Sequence, residues 1–431
     1  MHTLSQLRSG ELTGTTRLDL RCGLAEFPRE ILDLADSLEI LNLSGNQLSD
    51  LPEDFSRLRR LKILFCSDND FTHLPAVLGA CPSLEMIGFK ANRIDTVDEA
   101  ALPPSLRWLI LTDNRLDRLP ESIGRCPGMR KLMLAGNRLA DLPDSMAACV
   151  NLELVRLSAN RFHGFPAWLF ELPRLAWLGL GGNPCSKKPA GGPMREIAWA
   201  ELAHEAHLGE GASGLIHRAH WQTENQAVAV KVFKGGMTSD GLPEEEMAVC
   251  LAAGNHPNLI GALGGISDHP EGRNALVMPL IDRGFATLAG PPDFASCTRD
   301  IYPADSRFDL AGVLRMTTGL ASAARHLHER GITHGDFYAH NILRNPDGDC
   351  LLGDFGAASF YPREADLERI EVRAFGCLLD ELLTRGDFDP GDGKIVADLW
   401  ELQRRCVAET VKERPGFDEI WRGLREIQPK K

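Results

Sequence analysis

The chain has no CxxC pair, no apolar run of the roughly 18 residues a membrane span needs and no excess of positive charge, and each absence removes a class of function. Its eleven cysteines, an odd number scattered along 431 residues, argue against both a disulfide framework and a zinc site. They point instead to a reducing compartment, with most thiols acting as small buried hydrophobes. The opening MHTLSQLRSGELTGTTRLDL lacks the apolar core of a signal peptide, so the expected location is cytoplasmic. Lys and Arg number 47 against 60 Asp and Glu, a net charge of −13. Non-specific attraction to nucleic acid or anionic lipid is therefore not expected, and the partner is a protein or a small molecule. Gly (41) and Pro (26) are close to average usage, and 43% apolar with 25% charged residues excludes collagen-like and wholly disordered chains. At about 150 residues per domain, the length allows two or three domains with sizeable cores.

What is present begins with a repeat. Asparagines recur at Asn46, Asn69, Asn92, Asn114, Asn137, Asn160 and Asn183, each closing a segment of the form LxxLxLxxN such as Leu38 to Asn46, and most are followed by a Leu-Pro pair such as Leu51-Pro52 or Leu119-Pro120. Leu18 and Leu20 keep the pattern one step earlier, with Gly23 in the asparagine's place. A short strand with inward leucines, an asparagine amide that satisfies loop backbone groups and a proline-marked return leg make one coil of a solenoid. The pattern resembles a leucine-rich repeat array, and the absence of cysteine-rich caps again suggests an intracellular member. The asparagines are read as structural.

In such an array the third strand position turns outward onto the concave face. Successive repeats place Ile40, Ile63, Met86, Trp108, Lys131, Leu154 and Trp177 there, and the fifth position adds Phe65, Ile110 and Met133. A solvated face would alternate to polar residues, so either a partner protein binds this stripe or the second domain folds back over it. The preferred expectation is a protein substrate or regulator docked on Met86, Trp108, Ile110, Leu154 and Trp177.

After Asn183 the composition breaks into PCSKKPAGGPM, which reads as a linker. The expected organisation is a repeat domain over 1–185, a linker over 186–200 and a second domain over 201–431.

The second domain carries the chemistry. HLGEGASGLIHRA sets Gly209, Gly211 and Gly214 in GxGxxG spacing between predicted strands, where missing side chains let backbone amides approach phosphates. The next segment, AVAVKVF, is an apolar strand whose one charge is Lys231, which does not fit the helix that a dinucleotide-binding loop would open. Farther along come HGDFYAHN with Asp336 and Asn341, then DFG with Asp354, then ERP at Glu413 to Pro415. In this order and spacing the elements resemble the protein kinase superfamily. Joined to the repeats, the chain resembles a leucine-rich-repeat protein kinase of the bacterial cytosolic type. That implies an α/β repeat solenoid followed by an α+β two-lobed kinase-like domain, using ATP and Mg²⁺.

The resemblance implies roles residue by residue. Lys231 holds the α- and β-phosphates and is steadied by a helix glutamate, for which spacing to His256 favours Glu246 over Glu244 and Glu245. Asn341 and Asp354 are hard-oxygen ligands for Mg²⁺. Asp336 is the catalytic carboxylate that orients and deprotonates the attacking hydroxyl. Gly209, Gly211 and Gly214 cover the nucleotide. Met278 stands at the gatekeeper place, Pro279 offers a carbonyl and Ile281 an amide to adenine, and Ile216, Ala229 and Leu343 pack against the base.

Departures from the family pattern are equally specific. Gly335 replaces the arginine that pairs with a phosphorylated activation loop, and Tyr338 stands where serine/threonine kinases commonly carry lysine. His340 beside it reads as a packing residue. The interval from Asp354 to Glu371, which falls at the family's anchoring helix aspartate, is short and holds no APE motif, so Arg414 lacks its usual glutamate partner unless Glu368 or Glu364 replaces it. The peptide platform is thus truncated. The leading expectation is a protein kinase acting on serine or threonine in preference to tyrosine, with the repeats recruiting its partner. Two alternatives stay open: an aminoglycoside-type small-molecule kinase and a nucleotide-binding pseudokinase scaffold.

Overall fold

The computed structural model describes residues 1–186, 195–211, 213–238, 240–361 and 367–427. The chain divides into two compact units, Met1–Leu172 and Pro173–Lys431. Most of the expected linker, residues 187–194, lies outside the described residues.

In the first unit, three-residue strands at Arg17–Asp19, Ile40–Asn42, Ile63–Phe65, Met86–Gly88, Trp108–Ile110, Lys131–Met133 and Leu154–Arg156 pair in parallel, each in register with the next repeat. Register follows the pattern because the central residues Leu18, Leu41, Leu64, Ile87, Leu109, Leu132 and Val155 are all fully buried, and a slip by one residue would turn them outward. The repeat asparagines form a ladder. Asn137 Oδ1 accepts from Leu116 N at 3.0 Å, and its Nδ2 donates to Leu111 O and Leu134 O at 2.9 and 3.0 Å. Asn46, Asn69, Asn114 and Asn160 make the same kind of bonds one coil away. Each thus satisfies buried backbone groups that would cost about 1–3 kcal/mol if left unpaired. Return legs are short 3₁₀ turns entered from proline, as at Pro120 before Glu121–Arg125 and Pro143 before Asp144–Ala148.

Cysteines complete the packing. Cys66, Cys81, Cys126 and Cys149 are buried and free, and burial pushes the Cys81 thiol up to about 12 and that of Cys126 to about 11. Such thiols stay protonated and inert.

The outward stripe is less open than its composition suggests. Met86 and Leu154 are buried, and Trp108 and Ile110 are half-buried. Lys131 lies over the Trp108 ring at 4.0 Å, and Trp108 Nε1 points at Met133 Sδ at 3.5 Å, so neighbouring coils cover one another's side chains.

The second unit opens on the last repeat coil, with a strand at Trp177–Gly179. A five-stranded antiparallel sheet follows, built from Leu202–Glu210, Gly214–Trp221, Gln226–Phe233, Ala275–Pro279 and Gly264–Ile266 in that spatial order. Val228, Val230 and Val232 alternate into a core with Trp221, Ile266, Ala275 and Val277. The helix Pro243–Ala253 comes next in the chain after Gln226–Phe233. The remainder is mainly helical: Leu310–His328, Glu368–Thr384, Gly393–Cys406 and Phe417–Ile427, with small sheets that present the loops described below. Among the described residues no helix is long and apolar enough to cross a membrane.

Candidate active site

Strand register gathers the first group. Opposed residues of an antiparallel pair share a face, and Ile216 opposes Lys231 while Ala229 opposes Met278. One face of the sheet therefore carries Ile216, Ala229, Lys231 and Met278, opposite the valine core. Lys231 forms an ion pair with Glu246 from the helix Pro243–Ala253, both side chains nearly buried. Burial pushes the Glu246 carboxyl up against the pull of Lys231, and the Asp354 charge adds to the rise. Asp354 is thus electrostatically part of the same cluster.

The glycines sit at the end of the hairpin formed by Leu202–Glu210 and Gly214–Trp221, where Gly211 N donates to Gly214 O at 2.9 Å. A Cβ on Gly209 or Gly211 would meet nothing within 4 Å, whereas one on Gly214 would come 2.7 Å from Val232 O. The first two glycines border open space that a phosphate chain can enter; the third lets the hairpin lie on the lysine strand. Pro279 opposes Val228 at the end of its strand, Ile281 follows half-buried, and Leu343 lies on Ile342–Arg344.

The second group comes from loops. Asn341 Nδ2 donates to Asp336 Oδ2 at 2.7 Å and to Asp336 O at 2.9 Å, closing the loop between them. With its N–H₂ so engaged, the Asn341 amide has its oxygen free to turn away from Asp336. Asp354 is exposed and holds a left-handed φ of 56°, its Oδ1 accepting from Gly356 N at 3.2 Å, while Phe355 is buried beside His334. Glu371 braces the loop from the helix Glu368–Thr384: its Oε1 accepts from Gly335 N at 2.7 Å and Thr333 Oγ1 at 3.2 Å, and its Oε2 lies 2.7 Å from His328 Nε2. Burial alone would raise that carboxyl, but His328 and the Gly335 amide hold it below the usual range.

Sequence reasoning missed Asp300. Its carboxylate, almost wholly buried, accepts from Ala339 N at 2.6 Å and lies 2.6 Å from His340 Nδ1. Burial draws the His340 imidazole down, yet Asp300, with Asp336 and Asp354, carries it above the ordinary histidine value. His340 is therefore not a plain packing residue. Asp300 sits in a loop with no periodicity or motif, so no signal in the chain marked it.

One expectation needs correction. Trp177, assigned to an outward docking stripe, is 2% exposed: its indole stacks on Tyr338 at 4.2 Å and 6°, and its Nε1 donates to Phe337 O at 3.2 Å. The Tyr338 ring takes the space a solvated face would leave open. Arg414 was expected to lack its usual glutamate unless Glu368 or Glu364 replaced it; Glu368 does not, its Oε1 accepting from Phe417 N, and Glu364 lies outside the described residues. Arg414 is buried and donates to the carbonyl oxygens of Ala408, Arg369 and Pro173 at 3.0, 3.0 and 2.7 Å, and desolvation brings its guanidinium down to about 10.

ATP and Mg²⁺ fit these residues by donor chemistry: open space at Gly209 and Gly211, a cation fixed by a buried carboxylate, and an exposed carboxylate and an amide oxygen as hard donors.

Residues 202–374 match the family described as protein tyrosine and serine/threonine kinase, and residues 36–76 match leucine-rich repeats in two copies. The chain is similar to a probable cyclin-dependent serine/threonine-protein kinase of Dictyostelium discoideum, at 22% identity over 51% of this chain and 35% of that protein. It is similar to a probable serine/threonine-protein kinase of Arabidopsis thaliana, at 23% over 48% and 35%, and to the human serine/threonine-protein kinase A-Raf, at 23% over 54% and 44%. The chain thus spans less than half the length of these relatives. A solved leucine-rich-repeat protein of Leptospira interrogans is similar at 27% identity with a TM-score of 0.39, covering 41% of this chain and 46% of that one.

Proposed function

For this chain, in which leucine-rich repeats precede a protein kinase domain, we propose Mg²⁺-dependent transfer of the ATP γ-phosphate to a serine or threonine hydroxyl of a protein that the repeats recruit. The observation that carries the reading is the convergence of Lys231 with Glu246, Asp336 with Asn341, and the exposed Asp354, the last two carboxylates acting together on His340.

When bound, Mg²⁺ neutralises charge on the phosphate oxygens, the main demand of a transition state that needs little covalent help. Asn341 and Asp354 would hold it. Lys231, fixed by Glu246, holds the α- and β-phosphates, and the amides around Gly209, Gly211 and Gly214 close over them. Pro279 O and the Ile281 amide orient adenine between Ile216, Ala229, Met278 and Leu343. Asp336, pinned by the Asn341 amide, aims one carboxylate oxygen at the acceptor hydroxyl and takes its proton as the oxygen attacks. The serine/threonine assignment is supported by the names of the relatives.

Incubation of the full chain with Mg-ATP and a protein mixture, followed by acid hydrolysis of the labelled proteins, is expected to give phosphoserine and phosphothreonine. Phosphotyrosine alone would overturn the acceptor class, and unlabelled protein the whole reading. Recruitment by the repeats rests on Trp108 and Ile110, two of the half-buried large side chains of the strand face. Truncating such an anchor costs about 2 kcal/mol, or roughly thirtyfold in affinity. Trp108→Ala should accordingly cut labelling of the best acceptor at subsaturating concentration while leaving a denatured generic acceptor unchanged; equal labelling of both by wild type and variant would remove the repeats from recruitment.

A further inference from the structure

One coil of nine residues, Pro173 to Gly181, makes a set of contacts within the second unit that its repeat pattern does not require. Its leucines, Leu175, Leu178 and Leu180, follow the inward pattern of every earlier coil, and all are buried. Its other groups are spent on the kinase domain. Trp177 stacks on Tyr338 and donates to Phe337 O, the two residues directly after Asp336. Leu180 N donates to Ser359 Oγ at 2.9 Å, in the segment that follows Asp354. Pro173 O receives Arg414 and Arg174 O receives Arg373 Nε at 3.2 Å, tying the coil to the region after the helix Gly393–Cys406 and to the helix Glu368–Thr384.

Gly335 completes the fit. It sits at φ 71°, and a Cβ there would come 2.6 Å from Ala357 O and 2.8 Å from Leu178 O. The coil's backbone therefore approaches the catalytic loop at the residue where most kinases carry an arginine. A phosphate-bearing activation segment orders that loop through the arginine elsewhere. Here the arginine is absent, the interval after Asp354 is short, and Arg414, Ser359 Oγ and Phe337 O each form a hydrogen bond with the repeat coil.

We propose that this last repeat coil is a built-in brace of the catalytic loop, and that Trp177 is a positioning residue that sets Asp336 through Phe337 and Tyr338. The proposal rests on the kinase reading for its effect on rate, but not for its effect on loop order. A flat aromatic stack with an indole N–H bond fixes both the ring and the carbonyl next to Asp336, and a misplacement of about 1 Å at a catalytic group costs on the order of 10²-fold in rate. The functional kinase domain accordingly begins at the last repeat, ahead of the composition break after Asn183.

The test uses the full chain. In Trp177→Ala, kcat for phosphate transfer is expected to fall about tenfold or more with KM for ATP within about twofold, because the face carrying Lys231, Ala229 and Met278 is untouched. Backbone amides of 335–341 should exchange hydrogen at least about tenfold faster, a local opening seen without any turnover. Trp177→Phe, which keeps a stacking ring, should restore kcat to within about threefold. If Trp177→Ala does not fold, Ser359→Ala removes the acceptor for Leu180 N together with the 3.3 Å bond from Ser359 Oγ to Ala357 O, and exchange at 335–341 should still rise about threefold. Unchanged exchange and unchanged kcat in these variants would overturn the brace. A wild-type chain that transfers no phosphate would overturn the kinase reading alone, since loop exchange still decides the brace.

Discussion

Asp336→Asn is expected to lower phosphate transfer by about 10²-fold or more while nucleotide affinity stays close to wild type. The amide keeps the volume of the carboxylate and can still accept from Asn341 Nδ2, now bonded to Asp336 Oδ2 at 2.7 Å, so the loop should stay closed. What it loses is the capacity to take a proton from the attacking hydroxyl. Asp354→Ala provides the contrast. It removes an exposed carboxylate from the proposed metal site and should weaken Mg²⁺-dependent nucleotide binding as well as turnover, because a metal ligand acts on both. Single-turnover transfer and nucleotide titration, each with and without Mg²⁺, separate the two. An Asp336→Asn enzyme at full rate would remove the carboxylate from catalysis.

Replacing Gly335 by the arginine that most kinases carry in the corresponding place is expected to abolish the proposed phosphate transfer. Gly335→Arg must adopt a φ of 71°, at about 1–2 kcal/mol for an L-residue, and its Cβ must displace the carbonyls of Ala357 and Leu178 from 2.6 and 2.8 Å. Neither is the end of a flexible side chain, so backbone has to move. The Gly335 amide, which donates to Glu371 Oε1, moves with it. Strain and clash together cost about 3 kcal/mol or more, a melting shift of about 6 °C or more for a domain of this size. Transfer should fall by roughly 10²-fold, as for other misplaced catalytic loops. Gly335→Ala should share most of the loss, since the Cβ is what collides. Scanning calorimetry paired with transfer rates gives the answer: an arginine variant as stable and active as wild type would show that the glycine is not there to admit the repeat coil.

The solenoid was legible because its physics is local and periodic: a leucine every second or third position and an asparagine every coil state both the strand and the ladder that ties it. The pairings of Lys231 with Glu246 and of Asp336 with Asn341 were legible for another reason, that Lys231, Asp336 and Asn341 stand in short motifs and Glu246 at a fixed spacing from His256. Trp177 was not. Repeat grammar says only that its side chain leaves the solenoid core, and the ring that covers it, Tyr338, is supplied from a remote part of the chain with no pattern linking the two. Arg414 was missed because its acceptors are backbone carbonyls, which every residue offers and no side-chain pattern advertises. Asp300 was missed because a single buried carboxylate in an irregular loop looks like any surface acid.

The most direct measurement of the central claim follows the γ-phosphate in a single competition. The full chain is given Mg-ATP labelled at that position together with a protein mixture and a set of small hydroxyl metabolites, and the products are separated by size, with Asp336→Asn run alongside. The expected result is label in the protein fraction for the wild type and its loss in the variant. Label confined to the small-molecule fraction, or free phosphate alone in equal amounts from both, would contradict it.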